Sequence, residues 1–194
     1  MYPATEKIIK IIQKYGVMVQ DLDYQMKNIV NECVHLNQNI YQYAAFQSKG
    51  YENIGYGSNI SNLGDVLKKM NYEEQKYYQE LEESLEELLQ EMNFIRRIHL
   101  CYMSLPFKEH ELLRMMYEEK LSWNTLIKEL DISRSTVSRR RSYAIKLIQI
   151  AYASDLSNTE ILYLQKGKKR ITWELVLKNT NLKHTGNQEE GTSG

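Results

Sequence analysis

Proline and cysteine are both scarce in this chain, with two residues of each among 194. Because proline removes a backbone donor and clashes with the preceding helical turn, its scarcity favours long helices. Cys33 and Cys101 form neither a disulfide framework nor the spacing of a metal site, which fits a reducing compartment. We therefore expect an all-α protein without a metal or cofactor.

The chain also lacks long hydrophobic runs. No window approaches the roughly 20 apolar residues that a membrane-spanning helix needs. The first residues, MYPATEKIIKIIQKYG, carry too many charges for a secretory signal peptide. These absences predict a cytoplasmic protein with no membrane partner.

Net charge is absent as well, since 25 basic side chains balance 25 acidic ones. The two signs are nevertheless segregated along the chain. Residues 73–91 contain eight acids and one base, whereas residues 134–146 contain five bases and no acid. Local fields of this kind, rather than net charge, steer partners. The acidic run is interpreted as a solvated helix face, with a docking surface for a basic partner as the alternative.

Apolar residues recur at alternating spacings of four and three along two segments, which predicts two long helices with narrow apolar seams. The first seam comprises Tyr15, Val19, Leu22, Met26, Ile29, Cys33, Leu36, Ile40 and Tyr43. The second comprises Leu81, Leu85, Leu88, Met92, Ile95, His99 and Tyr102. Because a bare helical hairpin buries little surface, we expect a coiled-coil-like antiparallel hairpin that also forms a homodimer. Gly16 is expected to kink the first helix, and His99 is interpreted as a structural seam residue.

The predicted organisation follows from these helices, from a glycine-containing stretch between them and from Pro106, which ends the second helix. It consists of an N-terminal helical segment at 1–47, a flexible loop at 48–61, a second long helix at 62–104, a helix-turn-helix domain at 105–150, a basic and aromatic extension at 151–184 and a disordered tail at 185–194.

Residues 108–148 contain three short helical patterns. Ser122 and Ser133 are N-cap residue types at the start of the second and third patterns. Only Asp131-Ile132-Ser133 separates these two patterns, which is the spacing of a helix-turn-helix, and aspartate tolerates the left-handed backbone that such a turn often needs. The residues predicted to face inward are, in chain order, Leu112, Leu113, Met116, Tyr117, Trp123, Leu126, Ile127, Leu130, Val137, Ala144, Leu147 and Ile148.

The third pattern, RSTVSRRRSYAIKLI, concentrates hydroxyls and arginines at the start of the expected recognition helix. Such a helix lies in the DNA major groove with its N-terminal residues at the base edges. Arginine binds guanine or phosphate through two parallel hydrogen bonds, and Arg140 and Arg141, further round the helix, are assigned to phosphates. The candidate DNA-binding residues are Ser122, Arg134, Ser135, Thr136, Ser138, Arg139, Arg140, Arg141, Tyr143 and Lys146. The alternative is a solvated basic helix end without a ligand.

The stretch SWNTLIKELDISRSTVSRRRSYAIKLI resembles the region 4 helix-turn-helix of bacterial sigma factors. Together with the layout of residues 15–150, it resembles phage late-gene transcription activators of the RinA and ArpU type. Their pattern W-x-x-I/L-x-x-x-L-x-x-S-x-x-T-V is met here by Trp123, Leu126 or Ile127, Leu130, Ser133, Thr136 and Val137. The resemblance implies double-stranded DNA as the ligand and RNA polymerase as a further candidate partner. The chain departs from the family at Asp131, where glycine is common, and in residues 150–194, which extend beyond the usual end.

The extension contains EILYLQKGKKRITWELVLKN, with four basic residues around Gly167. Gly167 predicts either the turn of a β-hairpin or a helix boundary. The basic patch of Lys166, Lys168, Lys169 and Arg170 is interpreted either as a solvated turn or as an added phosphate contact.

The leading hypothesis is a sequence-specific DNA-binding transcriptional regulator, encoded by a phage or mobile element and acting as an activator. A DNA-packaging recognition subunit resembling a small terminase also combines a helix-turn-helix with helical oligomerisation, and a helical adaptor would use the acidic hairpin instead. An enzyme is not expected, because the sequence has no P-loop, zinc spacing or nucleophile motif. SRSTVSRR also resembles the DNA-binding module of serine recombinases, but a predicted helical hairpin stands where their catalytic domain would be.

Overall fold

The computed structural model of the protein describes the backbone of residues 2–50, 60–166 and 172–178, with all side chains in these ranges except those at 37–50, 60–71, 73 and 165–166. The described residues form helices and no strand, which confirms the predicted all-α fold. The helices are α1 (Thr5–Gly50), α2 (Ile60–Met103), α3 (Phe107–Leu113) with a π-helical continuation (Arg114–Glu118), α4 (Trp123–Leu130), α5 (Arg134–Ala153) and α6 (Asn158–Lys166). Residues 173–178 are also helical. None of the described helices has the length and apolar character that crossing a membrane requires.

Both long helices extend into the segment predicted as a loop. Residues 48–50 belong to α1 and residues 60–61 belong to α2. The rest of that predicted loop, 51–59, lies outside the described residues.

The extension is helical on both sides of Gly167, so the β-hairpin alternative is wrong. ILYLQ lies within α6, and residues 173–178 form helical turns. Gly167, the basic residues 168–170 and the predicted tail at 185–194 lie outside the described residues.

The first long helix is interrupted at Lys14, whose φ of −133° and ψ of 17° are not helical. A short helix therefore precedes this residue and a long one follows it. The kink was predicted at Gly16, and it lies two residues earlier, at Lys14.

Contacts divide the chain into two compact units. Residues 1–18 and 93–194 form the helix-turn-helix unit, and residues 19–92 form the hairpin unit. Because α1 and α2 each cross a boundary between these ranges, both long helices contribute to both units.

In the hairpin unit, α1 and α2 are antiparallel. The Tyr77 hydroxyl donates to the Glu32 carboxylate, and the Tyr78 hydroxyl donates to the Cys33 carbonyl oxygen at 3.2 Å. Further along, a groove of about 380 Å³ is lined by Gln25, Asn28, Ile29, Ser84, Glu87, Leu88 and Glu91. Earlier positions in α1 thus meet later positions in α2, as the predicted hairpin requires.

The predicted seam residues differ in burial. Leu22, Leu81 and Met92 are buried in the hairpin unit, whereas Met26, Ile29, Leu36, Leu85 and Leu88 are half-buried. Ile95 is also buried, but it belongs to the helix-turn-helix unit. The side chain of Ile40 lies outside those described. Dimerisation through the seam stays a prediction.

The core of the helix-turn-helix unit forms where α3 and α4 pack on α5. The four residues of α5 predicted to face inward, Val137, Ala144, Leu147 and Ile148, are at most 1% exposed. Residues outside the predicted domain at 105–150 are buried in the same unit. They include Ile8, Ile11, Ile12, Ile95, Ile98, Cys101, Tyr102, Ile161, Leu164 and Val176. Burial raises the pKa of the Cys101 thiol to about 12, so this thiol is protonated and unreactive at neutral pH.

Hydrogen bonds from two side chains hold the segments around Pro3 and Trp173 in this unit. The Gln149 amide donates to the Pro3 carbonyl oxygen at 2.9 Å, and the Trp173 indole donates to the Ser104 carbonyl oxygen at 3.0 Å. Val176 packs with Ile150 and Leu164 in a small apolar cluster beside Trp173. The described part of the extension is therefore a packed component of the unit.

Arg97 of α2 holds the end of α5 and the start of α6. Its guanidinium donates to the carbonyl oxygens of Tyr152, Ser154 and Leu156 at 2.9–3.1 Å and to the Asn158 side-chain oxygen at 3.0 Å. All three guanidinium nitrogens are used. A lysine in the same place could not reproduce this planar fork of donors.

A stack of aromatic rings joins α1, α2 and α3. The Tyr15 and His99 rings are parallel within 6° with centroids 3.6 Å apart, and the Tyr102 and His110 rings stack at 4.6 Å. The Tyr102 hydroxyl donates to Glu118 at 2.9 Å. Nδ1 of His99 and Nε2 of His110 are buried without a hydrogen-bond partner in the described part of the chain. Burial, partly opposed by Glu118, lowers the pKa of both histidines.

We expect Arg97→Lys to lower the free energy of unfolding by about 1.5–3 kcal/mol, because carbonyl groups at the end of α5 lose charged donors. Urea denaturation followed by circular dichroism would measure this change. The matched control is Arg96→Ala, since Arg96 is exposed and has no partner among the described residues. Equal stability of Arg97→Lys and the unmodified protein would show that the guanidinium fork is not required.

We also expect the protein to lose stability as the pH falls below about 6.5. Histidines in the unfolded chain titrate near that value, whereas His99 and His110 have lower pKa values in the folded protein. The unfolded state then binds more protons, so acid favours unfolding until the pH passes the folded-state pKa values. Thermal unfolding of the unmodified protein and of a His99→Gln, His110→Gln variant between pH 7.5 and 5 would measure the effect. An equally steep loss in the variant would assign it to other groups.

Candidate nucleic-acid interface

Two serine N-caps define the start of α4 and α5, as predicted. The Ser122 hydroxyl accepts from the Thr125 amide at 3.2 Å, and the Ser133 hydroxyl accepts from the Thr136 amide at 3.3 Å. Each cap satisfies an amide that the first helical turn leaves without a backbone acceptor. The caps therefore fix where each helix begins, and α5 starts four residues after the last residue of α4.

The turn between these helices depends on Asp131. This residue is left-handed, with φ 49° and ψ 46°, and its amide closes α4 by donating to the Ile127 carbonyl. Aspartate adopts this conformation at lower cost than most residues with a side chain. Leu126 of α4 and Val137 of α5 are both buried, so the turn brings two apolar helix faces into one core.

The solvent face of α5 is a stripe of hydroxyl and basic side chains. With 100° between successive residues, Ser135, Arg139, Ser142 and Lys146 lie on one side, opposite the buried side that includes Val137. All four residues of the stripe are exposed. This side of the helix is available to a ligand over about three turns.

Some of the predicted hydroxyl groups bind one another. The Ser133 hydroxyl lies 2.9 Å from the hydroxyls of both Ser135 and Thr136, and the Ser122 hydroxyl lies 2.8 Å from that of Thr125. Ser138 is exposed, and its hydroxyl has no partner among the described residues. The caps therefore orient Ser135 and Thr136, whereas Ser138 is the freer contact group.

The four arginines fall into two classes. The Arg134 guanidinium lies over the Trp123 ring, with its central carbon 5.5 Å from the ring centroid. Arg141 is half-buried and donates to the Tyr117 hydroxyl. Arg139 and Arg140 have no partner in the described part of the chain. Arg134 and Arg141 are thus held by aromatic residues, whereas Arg139 and Arg140 can reorient.

The remaining predicted groups extend the same surface. Lys146 and Tyr143 are exposed on α5, and neither has a hydrogen-bond or ion-pair partner among the described residues. The first turn of α5 contains no acid. Positive charge on this face is therefore not neutralised within α5, which favours an anionic ligand.

One inward prediction is wrong, and the sequence analysis did not assign three residues to this surface. Trp123 is 36% exposed rather than buried, because it occupies the first position of α4, where its ring lies beneath Arg134. Its place on the apolar stripe hid this role. Tyr117 was assigned only to the core, although it also holds Arg141. Ser142 was overlooked, but its spacing from Arg139 could have identified it.

Residues 103–149 match the family described as Sigma-70, region 4. This match covers the predicted helix-turn-helix and supports a sigma region 4-like domain at these residues. Comparison with curated proteins gave no match, and comparison with solved structures gave none either.

We expect Asp131→Val to lower the free energy of unfolding by about 1–2 kcal/mol, because a β-branched residue is strained in the left-handed region. The matched control is Asp131→Asn, which removes the same charge but tolerates the same backbone. Urea denaturation should separate the two variants. Equal losses would attribute the effect to the carboxylate rather than to the turn geometry.

Proposed function

We propose that the protein is a sequence-specific DNA-binding regulator of transcription whose α5 lies in the major groove. The observation that carries this proposal is the exposed stripe of Ser135, Arg139, Ser142 and Lys146 on the second helix of a helix-turn-helix. The match of residues 103–149 to Sigma-70, region 4 supports the same role.

The division of labour follows from position on α5. Arg139 is exposed on the middle of the stripe, where a side chain can reach a base edge. Arg140 is half-buried and lies 100° further round the helix than Arg139, a position that suits a phosphate rather than a base edge. Ser138 and Ser142 are short enough to let the helix approach the groove floor closely.

The finer proposal is an activator encoded by a phage or mobile element, with binding rather than catalysis as its activity. It rests on the resemblance to RinA- and ArpU-type proteins. In this proposal the hairpin unit contacts RNA polymerase or a second copy of the chain. A dimer would bind two half-sites related by symmetry. A palindromic bound sequence would therefore favour a second copy of the chain as the partner of the hairpin unit, and a single site would favour RNA polymerase.

The test is selection from a library of DNA duplexes with 20 randomised base pairs, at near-physiological salt. We expect one short sequence to be enriched. Arg139→Ala should weaken binding to that duplex by about 5- to 150-fold and relax selectivity at one position, whereas Arg140→Ala should weaken all duplexes and reduce the salt slope by about 1. A reporter promoter carrying the selected duplex should respond to expression of the protein and not to Arg139→Ala.

The matched control is Arg96→Ala, which removes one exposed arginine from α2 instead of α5. It should bind like the unmodified protein. If selection enriches no sequence, or if Arg139→Ala enriches the same sequence with equal affinity, α5 is not the reader. Binding without any reporter response would leave a DNA-binding protein that does not regulate transcription.

A further inference from the structure

We infer that Trp123 is a positioning residue for DNA binding, which holds the Arg134 guanidinium in place before the DNA arrives. This inference rests on the proposed function and assigns a role that the α5 face alone does not contain. In this role, Trp123 of α4 orients the positively charged side chain at the start of α5.

The geometry singles out this pair. Trp123 and Arg134 are the first residues of α4 and α5, and the central guanidinium carbon lies 5.5 Å from the ring centroid. Both side chains are exposed. The indole therefore contributes less to the core than Leu126, the buried residue one turn later. A large ring at the surface, placed beneath an arginine, fits a role in orienting that arginine.

The fold alone does not favour an arginine at this position. The N-terminus of a helix carries partial positive charge, so a cation there is unfavourable and an acid would be stabilising. The first turn of α5 contains Arg134 and no acid. Stacking on Trp123 offsets part of this cost, and a bound phosphate would offset more. The pair therefore makes better physical sense with DNA present than without it.

Pre-positioning has a defined benefit. A free arginine loses rotamer freedom when it binds, whereas an arginine already held over a ring loses less. Removing the ring should weaken DNA binding through Arg134 and leave Arg139 unaffected.

The experiment is a pair of double-mutant cycles measured on the duplex selected by the unmodified protein, or on a random 30-base-pair duplex if none is selected. Trp123→Leu keeps an apolar side chain and removes the ring. We expect it to weaken binding about three- to tenfold in the unmodified protein and less than twofold in an Arg134→Ala background. In an Arg139→Ala background it should retain its full effect. Thermal unfolding should be nearly unchanged, because Trp123 is exposed.

A second measurement needs no DNA. Side-chain NMR of the free protein should show the Arg134 δ protons shifted upfield by the ring current of Trp123, with the shift lost in Trp123→Leu. If this shift is absent, or if the Trp123 and Arg134 effects on binding simply add, the inference is overturned while the proposed function stands. If the shift is present but the unmodified protein binds neither duplex, the proposed function fails and the DNA role of Trp123 fails with it.

Discussion

The placement of α5 in the helix-turn-helix unit depends on the hydrogen bonds that the Arg97 side chain makes at the C-terminal end of this helix. Arg97 precedes the matched segment 103–149, yet its guanidinium donates to three carbonyl oxygens and one side-chain oxygen between the end of α5 and the start of α6. These hydrogen bonds fix the turn between α5 and α6. Arg97 holds the C-terminal end of α5, and Ser133 caps its N-terminal end. The exposed stripe therefore lies on a helix that is fixed at both ends.

The arginines differ in whether the fold holds their side chains. Arg97 donates to backbone carbonyls, Arg141 donates to a tyrosine hydroxyl and Arg134 lies over an indole ring. Arg139 and Arg140 have no partner in the described part of the chain. A count of basic residues in the sequence cannot distinguish these roles. Their distribution explains how a chain with no net charge presents a concentrated cationic face.

The features that could be predicted from the sequence are those that depend on neighbouring residues, such as helix caps and apolar helix faces. Ser122 and Ser133 were identified as caps because their residue type and spacing suffice, and Val137, Ala144, Leu147 and Ile148 because one helix face must be apolar. The sequence analysis missed features that depend on distant partners. Trp123 follows the apolar period but lies outward, and nothing local indicates that Arg97 meets residues 55 to 61 positions later. The DNA-binding assignments themselves stay predictions.

The attachment of Pro3 to Gln149 also constrains the order in which the chain can fold during synthesis. The two residues are 146 positions apart, so at roughly 5–20 residues per second Pro3 is synthesised about 7–30 s before its partner. The hairpin unit, by contrast, is one continuous stretch and can form earlier. During that delay Ile8, Ile11 and Ile12 have no finished core to enter. The nascent chain therefore carries an apolar segment that is vulnerable to wrong contacts until α5 has been synthesised.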